Sequence, residues 1–349
     1  MSSSEVRIKL VSTAPDESLS LSYFELETIA SLSAGDMDED SILVRTLYLS
    51  CDPYIKGCIS ALMKDSPYAI KPGETIRGIG VGIVEASTSS EFKAGDVVTG
   101  IQVLWQTRFV AKTQGFSKIE TDSKIKAIDH LGVLGMASFT AYVGLVTVGK
   151  PVAGETLLVS SAAGGVGKMV IQLAKARGMR VVATAGSDEK VEFVKSLGAD
   201  VAFNYKTCGD YTEALKKHVP EGIDLYFDNV GGEFLEAAIA NMKNFGRIVL
   251  CGMISQYGLA PEMRYGVKTM FDAVSKRISI FGFNVGDHYA RPEYQSFINE
   301  VAALYRENKL KYRIAEIKGL ESAPQALLDQ FDGKLHGKPI VSLAGEAEI

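Results

Sequence analysis

The chain has little of what marks secreted, membrane-spanning or nucleic-acid-binding proteins. Its 349 residues include only four cysteines, which is too few for a disulfide framework and favours a reducing, cytoplasmic location. No apolar run reaches the length of a transmembrane helix, and residues 1–7 show no secretory signal pattern. The net charge of −5 comes without a basic stripe. We therefore expect no nucleic-acid partner and no membrane partner.

Patterns of metal ligands are also missing. No two cysteines have the CxxC spacing of a zinc site, and no second ligand follows Cys51 at a convincing interval. We expect no metal site, with Cys51 and Cys58 in the core or along a pocket. The length and the ordinary globular composition, 46% hydrophobic and 23% charged residues, indicate about two domains.

The most informative segment is a glycine-rich turn between a predicted strand at 157–159 and a helical pattern. Ala162, Gly164 and Gly167 occupy the three glycine positions of the G-x-G-x-x-G dinucleotide fingerprint, with alanine in the first. Gly164 would let the backbone approach the phosphates, and Gly167 would let the helix pack closely on the strand. A second buried strand is predicted at 180–185. This βαβ unit predicts a dinucleotide site; the alternative is a glycine turn that binds nothing.

The end of the second strand indicates which dinucleotide is bound. An NAD-selective site usually has an acid there to hold the ribose 2′-hydroxyl. This chain has Gly186 and Ser187, with Lys190 shortly after, which suit a 2′-phosphate better. Asp188 and Glu189 complicate this interpretation, although acids also suit the start of the next helix. We favour NADP(H) over NAD, with a solvated helix lysine as the alternative for Lys190.

The predicted secondary-structure pattern of the sequence changes twice. Residues 1–128 have a β-rich pattern with turns, 129–300 alternate strands and helices, and 301–349 form a mixed C-terminal segment. Six strands are predicted in the middle part, at 157–159, 180–185, 200–205, 223–228, 247–252 and 278–283. Ligands of open α/β sheets lie at the carboxyl ends of the strands. Asn229 and the segment 251–255 are therefore candidate cofactor contacts, or else ordinary turns.

Several longer segments together resemble the zinc-independent medium-chain dehydrogenase/reductase superfamily, and within it the alkenal double-bond reductases and prostaglandin reductases. They are Ser50-x-Asp52-Pro53-Tyr54 and residues 135–145, 162–167, 186–190, 203–206, 227–232 and 251–257. The resemblance implies an α/β fold, with a Rossmann doubly wound parallel sheet at 129–300. It also implies a GroES-like, mainly β catalytic domain at 1–128, to which 301–349 returns.

The resemblance also implies roles for single residues. Lys190 and Tyr205 would hold the 2′-phosphate beside Gly186 and Ser187. The pyrophosphate would lie on the turn formed by Ala163, Gly164, Gly165, Val166 and Gly167. Further cofactor contacts would come from Asn229, Cys251, Met253, Ser255, Tyr257 and Phe283. Relatives have an asparagine where this chain has His336, so that contact is in doubt.

Tyr257 and Tyr54 are the candidate catalytic residues, although large amphipathic rings often only pack with one polar end in water. The implied activity is NADPH-dependent reduction of the C=C bond of α,β-unsaturated aldehydes and ketones, in a homodimer paired through residues 278–283. Two alternatives stay open. One is reduction of a carbonyl group or a quinone on the same scaffold, and the other is NADPH binding without turnover.

Overall fold

The computed structural model describes residues 5–13, 19–61, 65–257, 259–332, 334–335 and 337–343. The chain divides into two compact units: unit 1 is Met1–Gly135 with Tyr312–Ile349, and unit 2 is Met136–Lys311. The divisions fall later than the predicted 128/129 and 300/301. The second lies later because one helix, Pro292–Arg306, crosses residue 300 and buries Phe297 and Val301, which keeps it in unit 2.

Unit 1 begins with strands separated by turns. They are β1 (Glu5–Leu10), β2 (Phe24–Ile29), β3 (Ser41–Ser50), β4 (Arg77–Ser87), β5 (Val97–Leu104), β6 (Arg108–Lys112) and β7 (Phe116–Lys118). A short helix, α1 (Tyr54–Cys58), follows β3. β1 and β2 form their own antiparallel pair. The β-rich texture predicted for this part of the chain is confirmed.

Unit 2 alternates helices and strands. Its helices are α2 (Met136–Tyr142), α3 (Gly167–Ala176), α4 (Asp188–Ser196), α5 (Tyr211–His218), α6 (Gly232–Ala240), α7 (Met270–Ser275) and α8 (Pro292–Arg306). Its strands are β8 (Thr156–Val159), β9 (Arg180–Ala185), β10 (Val201–Asn204), β11 (Ile223–Asp228), β12 (Met242–Leu250) and β13 (Ser279–Gly282). α3 ends before Gly178, whose φ of 74° is the left-handed conformation that glycine adopts without strain.

The six strands of unit 2 form one sheet in the order β10-β9-β8-β11-β12-β13, and every neighbouring pair is parallel. The predicted six-stranded Rossmann sheet is therefore confirmed. The order reverses between β8 and β11, because successive strands are added outward from this point in both directions. Ligands of such sheets bind at this switch point, beyond the carboxyl ends of the strands.

The chain returns to unit 1 through β14 (Ile314–Lys318), α9 (Ala323–Phe331) and β15 (Lys338–Ser342). The larger sheet has the order β14-β15-β3-β4-β5-β7, with β6 also paired to β3. Within β4, a Cβ atom on Gly80 would lie 2.9 Å from the Tyr48 carbonyl oxygen. Glycine is therefore required where β4 crosses β3 so closely. No helix among the described residues has the length and apolar character needed to cross a membrane.

Candidate functional site

The turn after β8 has the shape that the glycine pattern predicts. Ser161 has a left-handed φ of 50°, and the Ala162 amide donates to the Thr184 carbonyl oxygen of β9 at 2.9 Å. The chain then passes through Ala163, Gly164, Gly165 and Val166 into α3. The first-turn amides of a helix have no acceptor within it. The Lys168 and Met169 amides donate to the Gly164 and Val166 carbonyl oxygens at 3.1 and 3.0 Å. The Gly165, Val166 and Gly167 amides have no acceptor among the described residues. An anionic group placed at this turn would meet these amides and the positive end of the helix.

Gly167 is required by the protein itself. A Cβ atom there would lie 2.6 Å from Ala162 Cα and 2.7 Å from the Ser161 carbonyl oxygen, both backbone atoms. Gly164 is different, since its nearest neighbour would be the Ser161 carbonyl oxygen at 3.1 Å. The helix thus packs against the turn because Gly167 lacks a side chain, while Gly164 leaves the backbone open to a ligand.

The ends of β9 and β10 bring a second group of candidates together. Tyr205 donates its amide to the Ala185 carbonyl oxygen at 3.1 Å, and its hydroxyl lies 3.1 Å from the position of a Cβ atom on Gly186. Ser187 caps α4 by accepting a hydrogen bond from the Lys190 amide at 3.3 Å. The exposed Lys190 ammonium has no ion-pair partner among the described residues. It can therefore meet an anionic ligand beside Tyr205.

The switch point is held together by a buried carboxyl group that the sequence did not single out. Asp228 Oδ1 accepts hydrogen bonds from the Tyr226 hydroxyl at 2.6 Å and from the Val230 and Gly231 amides at 2.8 and 2.9 Å. Ser160 Oγ, at the end of β8, lies 3.0 Å from the Tyr226 hydroxyl and accepts from the Asn229 amide at 3.0 Å. This cluster fixes Asn229, whose side chain also donates to the Ser160 carbonyl oxygen at 2.8 Å.

The backbone of Asp228 ties in the next strand end. Its carbonyl oxygen accepts from the Cys251 amide at 2.9 Å and the Gly252 amide at 3.1 Å. Three strand ends, those of β8, β11 and β12, therefore depend on one residue. Burial raises the pKa of the Asp228 carboxyl, although the Gly231 amide and the Tyr226 hydroxyl partly offset this. Burial also raises the pKa of the Cys251 thiol to about 12, so it is protonated at neutral pH.

The loop after β12 places Met253, Ser255 and Tyr257 beside this cluster. Ser255 Oγ donates to the Val230 carbonyl oxygen at 2.6 Å, and the Met253 amide donates to the Tyr257 hydroxyl at 3.4 Å. Tyr257 is 62% exposed, and its hydroxyl lies 3.1 Å from the position of a Cβ atom on Gly252. The hydroxyl proton of Tyr257 is not used by the Met253 contact and can be donated elsewhere.

Phe283 follows β13 and is half-buried. Its ring lies 2.8 Å from the position of a Cβ atom on Gly144, and the Phe227 ring lies 2.6 Å from the same position. Gly144 therefore allows the π-helical segment Val143–Val148, which continues α2, to approach both rings. Because Gly282 pairs with Leu250 at the end of β12, Phe283 lies at the same edge of the sheet as the other strand-end residues.

Tyr54 belongs to unit 1, where it is the first residue of α1 and 38% exposed. Its hydroxyl lies 3.5 Å from the position of a Cβ atom on Gly78. Asp52, two residues before Tyr54, forms a buried ion pair with Lys338 of β15 at 2.6 Å. The Lys338 ammonium also donates to the Cys51 carbonyl oxygen at 2.7 Å. This pair anchors the segment that carries Tyr54.

The remaining candidates from the sequence are His336 and the two cysteines Cys51 and Cys58. His336 lies outside the described residues. Cys51 and Cys58 are both buried, and burial raises the pKa of the Cys51 thiol to about 12. Within the described part of the chain, no group of three or more His, Cys, Asp or Glu side chains could hold a metal ion.

Comparison with known proteins places this geometry in context. Two family models match, described as zinc-binding dehydrogenase over residues 165–303 and as the N-terminal domain of oxidoreductase over residues 7–119. The chain is 42% identical over 308 residues to the 2-alkenal reductase (NADP(+)-dependent) of Nicotiana tabacum, which covers 88% of each chain. It is 42% identical over 309 residues to the (+)-pulegone reductase of Mentha piperita, covering 88% of this chain and 89% of that protein.

A solved structure is similar over nearly the whole length. CurA from Vibrio vulnificus, in complex with NADPH, has a TM-score of 0.86 and is 33% identical, covering 97% of this chain and 99% of that one. The similarity therefore extends over the sequences of both units and not over the dinucleotide fingerprint alone.

Proposed function

This chain belongs to the medium-chain dehydrogenase/reductase superfamily, and we propose that it catalyses the NADPH-dependent reduction of the C=C bond of α,β-unsaturated aldehydes and ketones. Two relatives at 42% identity support this, because one is named an NADP-dependent 2-alkenal reductase and the other a pulegone reductase. The observation that carries the proposal is that the cofactor candidates of unit 2 converge at the carboxyl edge of one parallel sheet.

The residues at this edge fit NADP(H). The Gly165, Val166 and Gly167 amides are available to the pyrophosphate, and Ala163 and Gly164 would complete the binding turn. Lys190 and Tyr205, beside Gly186 and Ser187, would hold the 2′-phosphate. Asn229, Cys251, Met253, Ser255 and Phe283 would contact the nicotinamide half. We retain His336 as a proposed contact on the grounds of sequence alone.

When bound, the cofactor supplies the hydride that reduces the β-carbon of the substrate. Negative charge then develops on the carbonyl oxygen, and a hydrogen-bond donor at that oxygen lowers the barrier. We assign this role to the Tyr257 hydroxyl, because its proton is left free by the Met253 contact. The α-carbon takes a proton to complete the saturated product. Tyr54 is the proposed substrate contact of unit 1, which would form the catalytic domain, while unit 2 binds NADP(H).

The direct experiment supplies NADPH or NADH with a simple enone and identifies the product by mass and proton NMR spectra. A saturated ketone formed faster with NADPH supports the proposal. An allylic alcohol with its C=C bond intact would show that the activity is carbonyl reduction. A quinone tested in parallel as the substrate checks for quinone reduction. Tight NADPH binding without turnover of any of these compounds would indicate a non-catalytic protein.

Tyr257 is tested by replacing it with phenylalanine. Loss of an oxyanion donor lowers kcat by up to about 10²–10³-fold, and we expect the Tyr257→Phe variant to lose about 10–100-fold in kcat with KM little changed. Tyr68→Phe is the matched control, since Tyr68 is 64% exposed. Equal kcat values in the two variants would show that the Tyr257 hydroxyl has no role in catalysis.

We further propose a homodimer that pairs through β13. β13 is an edge strand of the sheet, and its Phe281 is 40% exposed. The neighbouring α7 buries none of its residues, and its Phe271 and Val274 are 78% and 72% exposed. Such an apolar face beside an open strand edge suits a second copy of this chain. Sedimentation at micromolar concentration should give a dimer, and Phe271→Asp should give monomers; a monomeric wild type would overturn the proposal.

A cytoplasmic location is proposed on the basis of the thiols. All four cysteines are free in the described part of the chain, as is usual in a reducing compartment. Fractionation of cells that express the native chain, with a cytosolic enzyme as the marker, tests the location. Recovery with secreted or membrane material would contradict it.

A further inference from the structure

An acidic side chain stands beside the residues proposed to hold the 2′-phosphate. Asp188 directly follows Ser187 and is the first residue of α4. A carboxylate just after the second strand is the group with which NAD-selective sites bind the ribose 2′-hydroxyl. The same carboxylate would repel a 2′-phosphate at Lys190 and Tyr205. The turn therefore contains groups suited to both cofactors, and its selectivity depends on how the acid is held.

The structure shows what holds the acid. Asn204, the last residue of β10, donates a hydrogen bond from Nδ2 to Asp188 Oδ1 at 2.9 Å. Its other end is also engaged, because Asn204 Oδ1 accepts from the Lys206 amide at 3.1 Å. An amide whose oxygen takes a backbone proton must present its nitrogen on the other side. The Lys206 contact therefore orients Asn204 as a donor toward Asp188.

The position of Asn204 adds to this argument. Asn204 pairs in register with Ala185, the residue before Gly186, and Tyr205 comes directly after it. The side chain that engages the acid and the ring proposed to contact the phosphate are thus neighbours on one strand end. The Asp188 carboxylate is therefore held beside the strand end that carries Tyr205.

We propose that Asn204 determines cofactor selectivity by engaging the Asp188 carboxylate, so that this acid is not available to bind a ribose 2′-hydroxyl. The inference rests on the proposed NADP(H) site and adds a residue with no assigned contact to the cofactor. Removing the amide frees the acid to take the role it has in NAD-selective sites. The preference for NADPH should then fall while the site stays intact.

The test is a double-mutant cycle on nucleotide binding. Dissociation constants for NADPH and NADH are measured by fluorescence titration for wild type, Asn204→Ala, Asp188→Asn and the double variant. We expect Asn204→Ala to lower the NADPH-over-NADH affinity ratio by about tenfold, the equivalent of about 1.4 kcal/mol. Asp188→Asn alone should keep or raise the ratio. The double variant should recover it, because no acid remains to be released.

Controls separate the possible outcomes. Asn244→Ala replaces an exposed asparagine of the same unit and should leave the ratio unchanged. A ratio that stays low in the double variant would show that Asn204 contacts the cofactor itself, and an unchanged ratio in Asn204→Ala would show that it has no role; either result overturns the inference alone. A wild type that binds neither nucleotide would overturn the proposed function as well. If Asn204→Ala fails to fold by circular dichroism, a ratio in Asp188→Asn below that of wild type still contradicts the inference.

Discussion

Replacing Tyr226 with phenylalanine tests whether the Asp228 cluster holds the switch point together. Tyr226 and Asp228 are both fully buried. The variant keeps the ring and its packing against Phe234 but removes a hydroxyl that bonds to Asp228 at 2.6 Å and contacts Ser160 at 3.0 Å. A hydrogen bond to a charged group contributes about 1.5–3 kcal/mol and a neutral one about 0.5–1.5 kcal/mol. Asp228 retains its two amide donors, so we expect a loss of about 2 kcal/mol of unfolding free energy.

Urea unfolding followed by circular dichroism measures this loss, with Tyr294→Phe as the control. Tyr294 is a half-buried tyrosine of the same unit, within a cluster of aromatic rings. Its hydroxyl forms no hydrogen bond with another described residue, so removing that group should change stability by less than about 0.5 kcal/mol. Hydrogen–deuterium exchange should show faster exchange at Val230 and Gly231. A Tyr226→Phe variant as stable as the control would refute the reasoning.

Three other changes have defined outcomes. Burial raises the pKa of Asp228 in the folded protein, so the carboxyl group stabilises the fold most below the unfolded carboxyl pKa of about 3.9. The unfolding free energy of wild type relative to Asp228→Asn should therefore fall as the pH rises above that value, as urea titrations across pH would show. Gly167→Ala should cost about 1–3 kcal/mol in thermal or urea unfolding and weaken NADPH binding, because its Cβ would overlap backbone; Gly266→Ala, with nothing within 4 Å, is the control. Lys338→Met leaves the buried Asp52 carboxylate unpaired and should cost about 3–5 kcal/mol in urea unfolding; a change under about 1 kcal/mol would contradict this.

The parallel sheet could be predicted because strands buried on both faces appear as apolar runs. The prediction at 180–185 coincides with β9. β12 is the exception, since it spans Met242–Leu250 and not 247–252. Lys243 and Asn244 make the first half of β12 polar, so the apolar pattern does not indicate where this strand begins. Its end shifts because the Cys251 and Gly252 amides turn toward the Asp228 carbonyl oxygen.

The contacts that hold the candidate site were harder to predict, because their partners lie far apart in the chain. Ser160 and Asp228 are 68 residues apart, and Asp52 and Lys338 are 286 apart. Asp52 and Asp228 stood within recognised segments, but the sequence did not show which parts of the chain they meet. One signal was present: Tyr226 and Asp228 alternate along β11 and so share one face of the sheet. A buried acid two residues from a tyrosine indicates such a hydrogen bond.

The most direct test of the proposed reaction is to determine which carbon of the substrate receives the hydride. The enzyme is given NADPH deuterated at C4 of the nicotinamide, with a simple enone in unlabelled water, and the product is examined by deuterium NMR. C=C reduction predicts a saturated ketone with deuterium on the β-carbon and unlabelled hydrogen on the α-carbon. An allylic alcohol with deuterium on the carbinol carbon would contradict the proposed function.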